Sequence, residues 1–533
     1  VLEWLVKFCV ARMGVSVQDV RSFVSKIPGV SMYLDWWITL WHDNPVHLLV
    51  ETTLIVLILY ILIKRPTPKK TKVETLPSSV VQELIDEFEP EPLCPPMDKG
   101  AEMILEDRIV LEGKAKKYTK VRGVEEPVLN MVTFDFLGIG QRDEIKQAAT
   151  KALDKYGCGS CGPRGFYGSI DVHVYLEQHL AKYFGTEEAI VYSDAASTLS
   201  SSIPAFSNRA DLLVVDDGCN DPIMTGVNLS RSRVLFFKHN DMKDLESILE
   251  KIDEEDKRLN RKPQRRFIIV EGLYRNYGDI APLPELMELK EKYKWRIYVD
   301  ESHSIGVFGK GGRGVHEHFG IPSKDIDLLI SALSTTLSSV GGFCVGSREV
   351  VEHQRLSGSG YCFSASSPPF VSTCASAGIE IMTNEADKMI PKLQKNAKFF
   401  NAKVNDCSDG RLVTTSNPES ALVHIRLGSE YRHADGRNSY TEETRCAEES
   451  VLREIVREVK KKGYLLCVSN YIVAASSRKA VGKNPPQALP PPSIRAVVTT
   501  LQTEDELESV AKALAEIAKR VVVKPEPKPA GET

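Results

Sequence analysis

Arg296–Gly314 reads RIYVDESHSIGVFGKGGRG. It opens on a short apolar run closed by Asp300 and Glu301, the pattern of a strand buried on both faces that carries carboxylates at its C-terminal end. Similar runs lie on both sides of it. Ala189–Ser193 (AIVYS), Asp211–Asp217 (DLLVVDD), Arg266–Gly272 (RFIIVEG) and Asp327–Ala332 (DLLISA) are further buried-strand candidates. Helical patterns at Asp241–Asp256 and Leu283–Tyr293 fall between them. This alternation predicts an α/β domain over residues 130–380 around a mostly parallel sheet. After about Glu380, charged helical patterns (Glu448–Lys462, Glu504–Lys519) accompany short strands at Ala421–Arg426 and Arg495–Thr500. That predicts a smaller α+β domain over 381–522, with a disordered tail at 523–533.

Toward the N-terminus the character changes. Val46–Ile63 reads VHLLVETTLIVLILYILI, with no charge from Thr52 to Ile63. Eighteen helical residues reach about 27 Å, close to the thickness of a bilayer core. Trp36, Trp37 and Trp41 lie where an interfacial aromatic belt would sit, and Lys64, Arg65, Lys69, Lys70 and Lys72 follow, with Pro66 and Pro68 ending the helix. The expectation is an N-terminal segment 1–65 with one transmembrane helix at about 46–63, its C-terminal side in the cytosol by the positive-inside rule. A cleaved signal peptide is not expected, because the segment starts late and lacks a small-residue cleavage site. Residues 66–129 read as a linker and N-terminal arm: VVQELIDEFEPEPLCPP predicts a short acidic amphipathic helix and then a proline-stiffened stretch.

The 533 residues are 42% hydrophobic and 26% charged, as in folded globular chains, and the formal net charge of −4 gives no reason to expect nucleic acid as a partner. The 11 cysteines are mostly scattered. Cys158 and Cys161 form one CxxC, but no second pair follows to complete a zinc site, and no metal is expected. Dispersed thiols fit a reducing compartment.

Three stretches carry a family resemblance: Tyr156–Ser169 (YGCGSCGPRGFYGS), Val299–Gly314 (VDESHSIGVFGKGGRG) and Glu352–Pro369 (EHQRLSGSGYCFSASSPP). Together they resemble the α-oxoamine synthase family of pyridoxal-phosphate enzymes, and within it the non-catalytic subunits of the serine palmitoyltransferases. Pro90–Pro96, Phe237–Met242 and Ser493–Leu507 resemble the same group, so the likeness runs from about residue 45 to 520. It implies the type I fold of pyridoxal-phosphate transferases. It also implies a heterodimer that condenses L-serine with palmitoyl-CoA to 3-ketodihydrosphingosine, the first step of sphingolipid synthesis, at the endoplasmic reticulum membrane. The implied partners are a lysine-bearing catalytic subunit, a small activating subunit and ORM-type regulators.

Pyridoxal-phosphate chemistry needs a Schiff-base lysine, a carboxylate facing the pyridine nitrogen, a ring-stacking group and a phosphate cradle. By the resemblance the lysine lies six residues before a Gly-Gly pair; here the pair is Gly341–Gly342 and the position is Thr335. No lysine lies between Lys324 and Gly346, and a threonine hydroxyl cannot form an imine. The stacking histidine corresponds to Asn220 and a phosphate-loop glycine to Asp194, whose charge would repel a phosphate. Asp300 stands at the pyridine carboxylate, His303 near the cofactor's phenolic oxygen, and Arg495 at the substrate-carboxylate arginine. The expected cofactor is therefore pyridoxal phosphate held covalently by the partner. The glycine-rich loop with Cys161, Gly162, Arg164, Gly165 and Tyr167, together with Ser364 and Ser366, is expected to border the partner's site, with Ala365 putting a direct phosphate contact in doubt. Two rivals are a structural scaffold with a vestigial site and an active homodimer using another lysine.

Overall fold

In a computed structural model, residues 108–262, 264–432, 440–469 and 489–524 are described, with 36, 39, 43, 45–64, 76–90, 92–93, 102 and 105. The chain divides into two compact units, Val1–Pro96 and Met97–Thr533.

The first unit contains a 20-residue helix, Pro45–Lys64. Leu54, Ile55, Val56 and Leu57 are successive and all exposed, so apolar side chains face outward around a full turn. Among the described residues, no helix is long and apolar enough to cross a membrane. Side chains of this helix are described for Val46, His47 and residues 49–62. The expected amphipathic helix is present at Ser78–Asp86. Trp37, Trp41, the basic run from Arg65, most of the stretch after Pro90 and the tail from 525 lie outside the described residues.

The second unit starts with three short strands, β1 (Leu111–Glu112), β2 (Tyr118–Val121) and β3 (Val128–Asn130). The central sheet follows: β4 (Glu188–Tyr192), β5 (Leu212–Asp216), β6 (Arg233–Phe237), β7 (Arg266–Glu271), β8 (Arg296–Asp300), β9 (Leu328–Ala332) and β10 (Gly342–Gly346), in spatial order β4-β10-β9-β8-β7-β5-β6. From β9 to β6 neighbours run parallel; β10 is antiparallel to both β9 and β4. Every residue of β5, β9 and β10 is buried, which is why these strands are continuous apolar runs and not alternating ones. The helix Leu283–Tyr293 lies where its pattern predicts and ends at Lys294 in the left-handed region.

One helix of 39 residues, Pro369–Cys407, serves both cores. Ala375, Ile379 and Met382 pack in the core of the large sheet, and Ala397, Phe400 and Val404 in that of the small one. The boundary expected near residue 380 falls inside this helix. The small sheet is β11 (Leu412–Thr414), β12 (Leu422–Leu427), β15 (Ile494–Val497) and β14 (Cys467–Val468) in that order, all antiparallel. The helices Glu442–Lys461 and Glu504–Val521 cover it. Thr503 caps the second: its hydroxyl accepts from the Glu506 amide, and Glu506 accepts from the Thr503 amide at 2.7 Å. The arm folds back too, since β3 pairs with β13 (Tyr464–Leu465).

Candidate functional site

The parallel strands deliver a row of carboxylates at their C-terminal edge: Asp216 from β5, Glu271 from β7 and Asp300 from β8. This edge is where ligands sit in open α/β sheets. Asp300 is fully engaged. One oxygen accepts from the Ser302 amide (2.9 Å) and hydroxyl (2.5 Å), and the other from Asn220 Nδ2 (3.0 Å). Asn220 also caps the helix Asp221–Ser230, its Oδ1 accepting from the Ile223 amide at 3.1 Å, and its own amide donates to Glu271 at 2.7 Å. Burial raises the Asp300 carboxyl above its ordinary value. Burial, and then the charge of Asp300, push Glu271 up to about 8.

Thr335 lies between β9 and β10, buried, and donates its hydroxyl to the Ser302 carbonyl at 2.8 Å. Asp194 caps the helix Ala195–Phe206, where its carboxylate accepts from the Ser197 amide at 2.7 Å. A helix N-terminus is a natural phosphate cradle; here it already holds a carboxylate. These residues do not fit a covalently held pyridoxal phosphate. The amine is absent, both oxygens of Asp300 are satisfied from within, and the cradle is capped by a negative charge. His303 packs edge-on against Phe134 at 5.2 Å, and its Nδ1 has no hydrogen-bond partner among the described residues. Arg495 lies over the Phe134 ring, its guanidinium carbon 5.0 Å from the centroid.

The glycine-rich loop is pinned to the segment 364–367. The Ser366 amide donates to Gly162 O at 3.0 Å, and its hydroxyl lies 2.6 Å from Gly168 O. Ser364 Oγ lies 3.2 Å from Ser193 Oγ. A Cβ on Gly168 would stand 1.9 Å from Gly162 O, so this position requires glycine; Gly165 has nothing within 4 Å. Cys161 is exposed, with φ of 57°. His173 commits both ring nitrogens elsewhere, Nδ1 accepting from the Ile170 amide at 3.1 Å and Nε2 donating to Ser367 O at 2.8 Å. His173 therefore has no ring nitrogen left for Cys161. Arg164 turns inward, pairing with both oxygens of Glu177 at 3.0 and 2.9 Å. Phe166 and Tyr167 (96%) on the loop are exposed, as is Phe363 (87%), the residue before Ser364.

Sequence patterns did not single out Arg275, His424 and Arg426, which gather beside His303 and Arg495. Nor did they single out His239, which bridges Asp216 (2.8 Å) and Asp279 (3.1 Å). Burial opposes its charge, yet the two carboxylates win and raise it to about 10. Among the described residues no His, Cys, Asp and Glu cluster suits a metal ion.

A family model described as aminotransferase class I and II matches residues 126–514. The chain is 38% identical over 478 residues to long chain base biosynthesis protein 1b of Oryza sativa subsp. japonica, covering 89% of this chain and 92% of that protein. It is 38% identical over 464 residues to serine palmitoyltransferase 1 of Dictyostelium discoideum, covering 87% and 91%. Among solved structures, a serine palmitoyltransferase of Sphingomonas wittichii superimposes with a TM-score of 0.65 at 23% identity, covering 81% of this chain and all of that one, which shows a common fold.

Proposed function

Since the chain belongs to the class I and II aminotransferase family, and within it to the group of long chain base biosynthesis protein 1 and serine palmitoyltransferase 1, we propose that it is the non-catalytic subunit of a serine palmitoyltransferase. The heterodimer condenses L-serine with palmitoyl-CoA, releasing carbon dioxide and CoA, to give 3-ketodihydrosphingosine. The observation that carries this reading is Thr335, a hydroxyl bonded to Ser302 O where the chemistry needs an amine. Pyridoxal phosphate, held by a lysine of the partner, supplies the electron sink.

In this reading the chain's own residues shape the partner's site and hold the complex together. The loop Gly157–Gly168, tied to Ser366, presents Phe166, Tyr167 and Phe363 as an aromatic surface for a homologous catalytic chain. Large exposed aromatics are the expected anchor of such an interface. Arg164 supports the loop from below through Glu177.

The helix Pro45–Lys64 serves as a single membrane anchor in the endoplasmic reticulum, with the second unit in the cytosol. What supports this reading is the uncharged run from Thr52 to Ile63 and the exposed apolar side chains from Leu54 to Leu62. A glycosylation acceptor placed well upstream of this helix should be modified, and one placed after Lys72 should not; the reverse pattern would overturn the orientation. A small activating subunit and ORM-type regulators complete the assembly.

The reading is tested by expression with and without the catalytic chain. Alone, this chain should be colourless and form no product from serine and palmitoyl-CoA. Co-expressed, the pair should be yellow and active. Product formed by the chain alone would overturn it.

A further inference from the structure

Arg296 opens β8 and is the register partner of Phe267 on β7, while Leu328 on β9 pairs with Tyr298, two residues along from Arg296. Alternation along a strand therefore puts Phe267, Arg296 and Leu328 on one face of the sheet, at the N-terminal ends of its parallel strands. This is the end opposite the carboxylate row of Asp216, Glu271 and Asp300. Two helices wall in that face. The helix Ala195–Phe206 ends at Phe206, and the helix Arg348–Ser357 carries Val350 and His353. His353 Nε2 donates to the Ala205 carbonyl at 2.7 Å, and its ring lies 4.9 Å from that of Phe206, so the two walls are tied together. Between them is an open cleft of about 590 Å³, within the size range of small-molecule sites.

The cleft has an apolar floor and a cationic rim. Phe267, Ile326 and Leu328 are buried beneath it, and Phe206 and Val350 are half-buried at its sides. Arg265, Arg296 and Lys324 line it as well and are exposed. Arg265 donates one N–H to the Phe206 carbonyl at 2.9 Å and has no carboxylate partner among the described residues. The side chains of Arg296 and Lys324 make no hydrogen bond or ion pair among the described residues. The two acids of the lining are already engaged. Asp327 accepts from the Ile297 amide at 2.9 Å and pairs with Lys290 at 3.0 Å. Glu349 turns back to its own amide and the Ser347 hydroxyl. Asp325, beside Lys324 in the chain, does not line the cleft and pairs with no cation among the described residues.

Unpaired cations above an apolar floor suit a ligand that is anionic at one end and apolar at the other. Guanidinium forks and an ammonium group match phosphate oxygens. Three positive charges attract a dianion more strongly than a single carboxylate. An apolar body laid on Phe267 and Leu328 leaves water, which adds to the attraction of the head. We propose that this cleft is a second ligand site, which takes a phosphate monoester with an aromatic or acyl body. The site uses none of the residues at the carboxylate edge and does not depend on which subunit carries the lysine.

The test uses the full chain in its purified complex, with the partner saturated with cofactor, at an ionic strength of about 0.15 M. 1-Naphthyl phosphate, dihexanoylphosphatidic acid, 1-naphthoate and inorganic phosphate are titrated separately by calorimetry. The first two distinguish a soluble aromatic ester from a lipid headgroup. At least one of them should bind saturably, and roughly tenfold tighter than either 1-naphthoate or inorganic phosphate. Arg296→Gln and Lys324→Gln should each weaken that binding roughly fivefold, the upper range for an exposed ion pair. Both side chains are exposed and unpaired, so the variants should melt like wild type. Lys294→Gln is the control. Lys294 lies two residues before Arg296, pairs with Glu291 at 3.6 Å and does not line the cleft, so its loss should leave binding unchanged. Absence of saturable binding, binding unchanged by Arg296→Gln, equal affinity for 1-naphthoate, or an equal loss in Lys294→Gln would overturn the proposal.

Discussion

Replacing Gly168 with Ala places a methyl group 1.9 Å from Gly162 O, 2.4 Å from Gly162 C and 2.8 Å from Pro163 O. All three are backbone atoms, so no side chain can swing aside. The two strands of the loop must separate by more than an ångström, roughly, to reach ordinary contact. Three hydrogen bonds cross that gap: Gly168 N to Pro163 O (3.0 Å), Ser366 N to Gly162 O (3.0 Å) and Ser366 Oγ to Gly168 O (2.6 Å). At about 1 kcal/mol each, their loss costs about 3 kcal/mol, which is about a hundredfold in the balance between closed and open loop. The core beneath is untouched, because Arg164–Glu177 stays paired. Gly168→Ala should therefore still fold, its stability down by at most about 3 kcal/mol, and should lower the yield and turnover of the complex on co-purification with the catalytic chain. Gly346→Ala, outside the loop, is the control: its Cβ would meet nothing nearer than Val350 Cγ1 at 3.4 Å, and it should assemble normally. If Gly168→Ala assembled and turned over like wild type, the loop would not border the shared site.

Asn220→Ala removes a helix cap and the donor to Asp300, and should lower stability by about 1–2 kcal/mol, read as a shift in the denaturant midpoint at unchanged slope. His239, raised to about 10 between Asp216 and Asp279, should stabilise the fold fully below its unfolded value near 6.5 and progressively less as pH climbs through 10. The stability gap between wild type and His239→Gln, measured by urea unfolding from pH 6 to 10, should therefore shrink with rising pH; a gap that widened would refute the assignment. Thr335→Lys should not make the chain yellow on its own, since Asp194 still caps the phosphate cradle and Asn220 still occupies Asp300.

The sheet was legible where strands are buried on both faces, because β4, β5, β7, β8 and β9 are unbroken apolar runs. β6 was not: it is an edge strand with an exposed first residue, set among charged neighbours. β10 opens at the glycine pair, where Gly341 has φ of 116°, so its start reads as a turn. Position counting could locate Thr335, Asn220 and Asp194 but not what they do locally. Asn220 and Asp194 cap helices, and Thr335 bonds a carbonyl. Arg164 reads as one more residue of an exposed loop, and its burial depends on Glu177, one helix later. The arginine cluster was invisible because the β12–β15 register and the loop after β7 assemble it from residues about 70 to 220 positions apart.

The central claim is that this chain carries no covalent cofactor while its partner does. Borohydride reduction of the purified active complex, followed by peptide mapping of both chains, tests it most directly. The account predicts a pyridoxyl-lysine peptide from the partner and none from this chain, where Thr335 holds the position; a pyridoxyl-lysine peptide from this chain would contradict it.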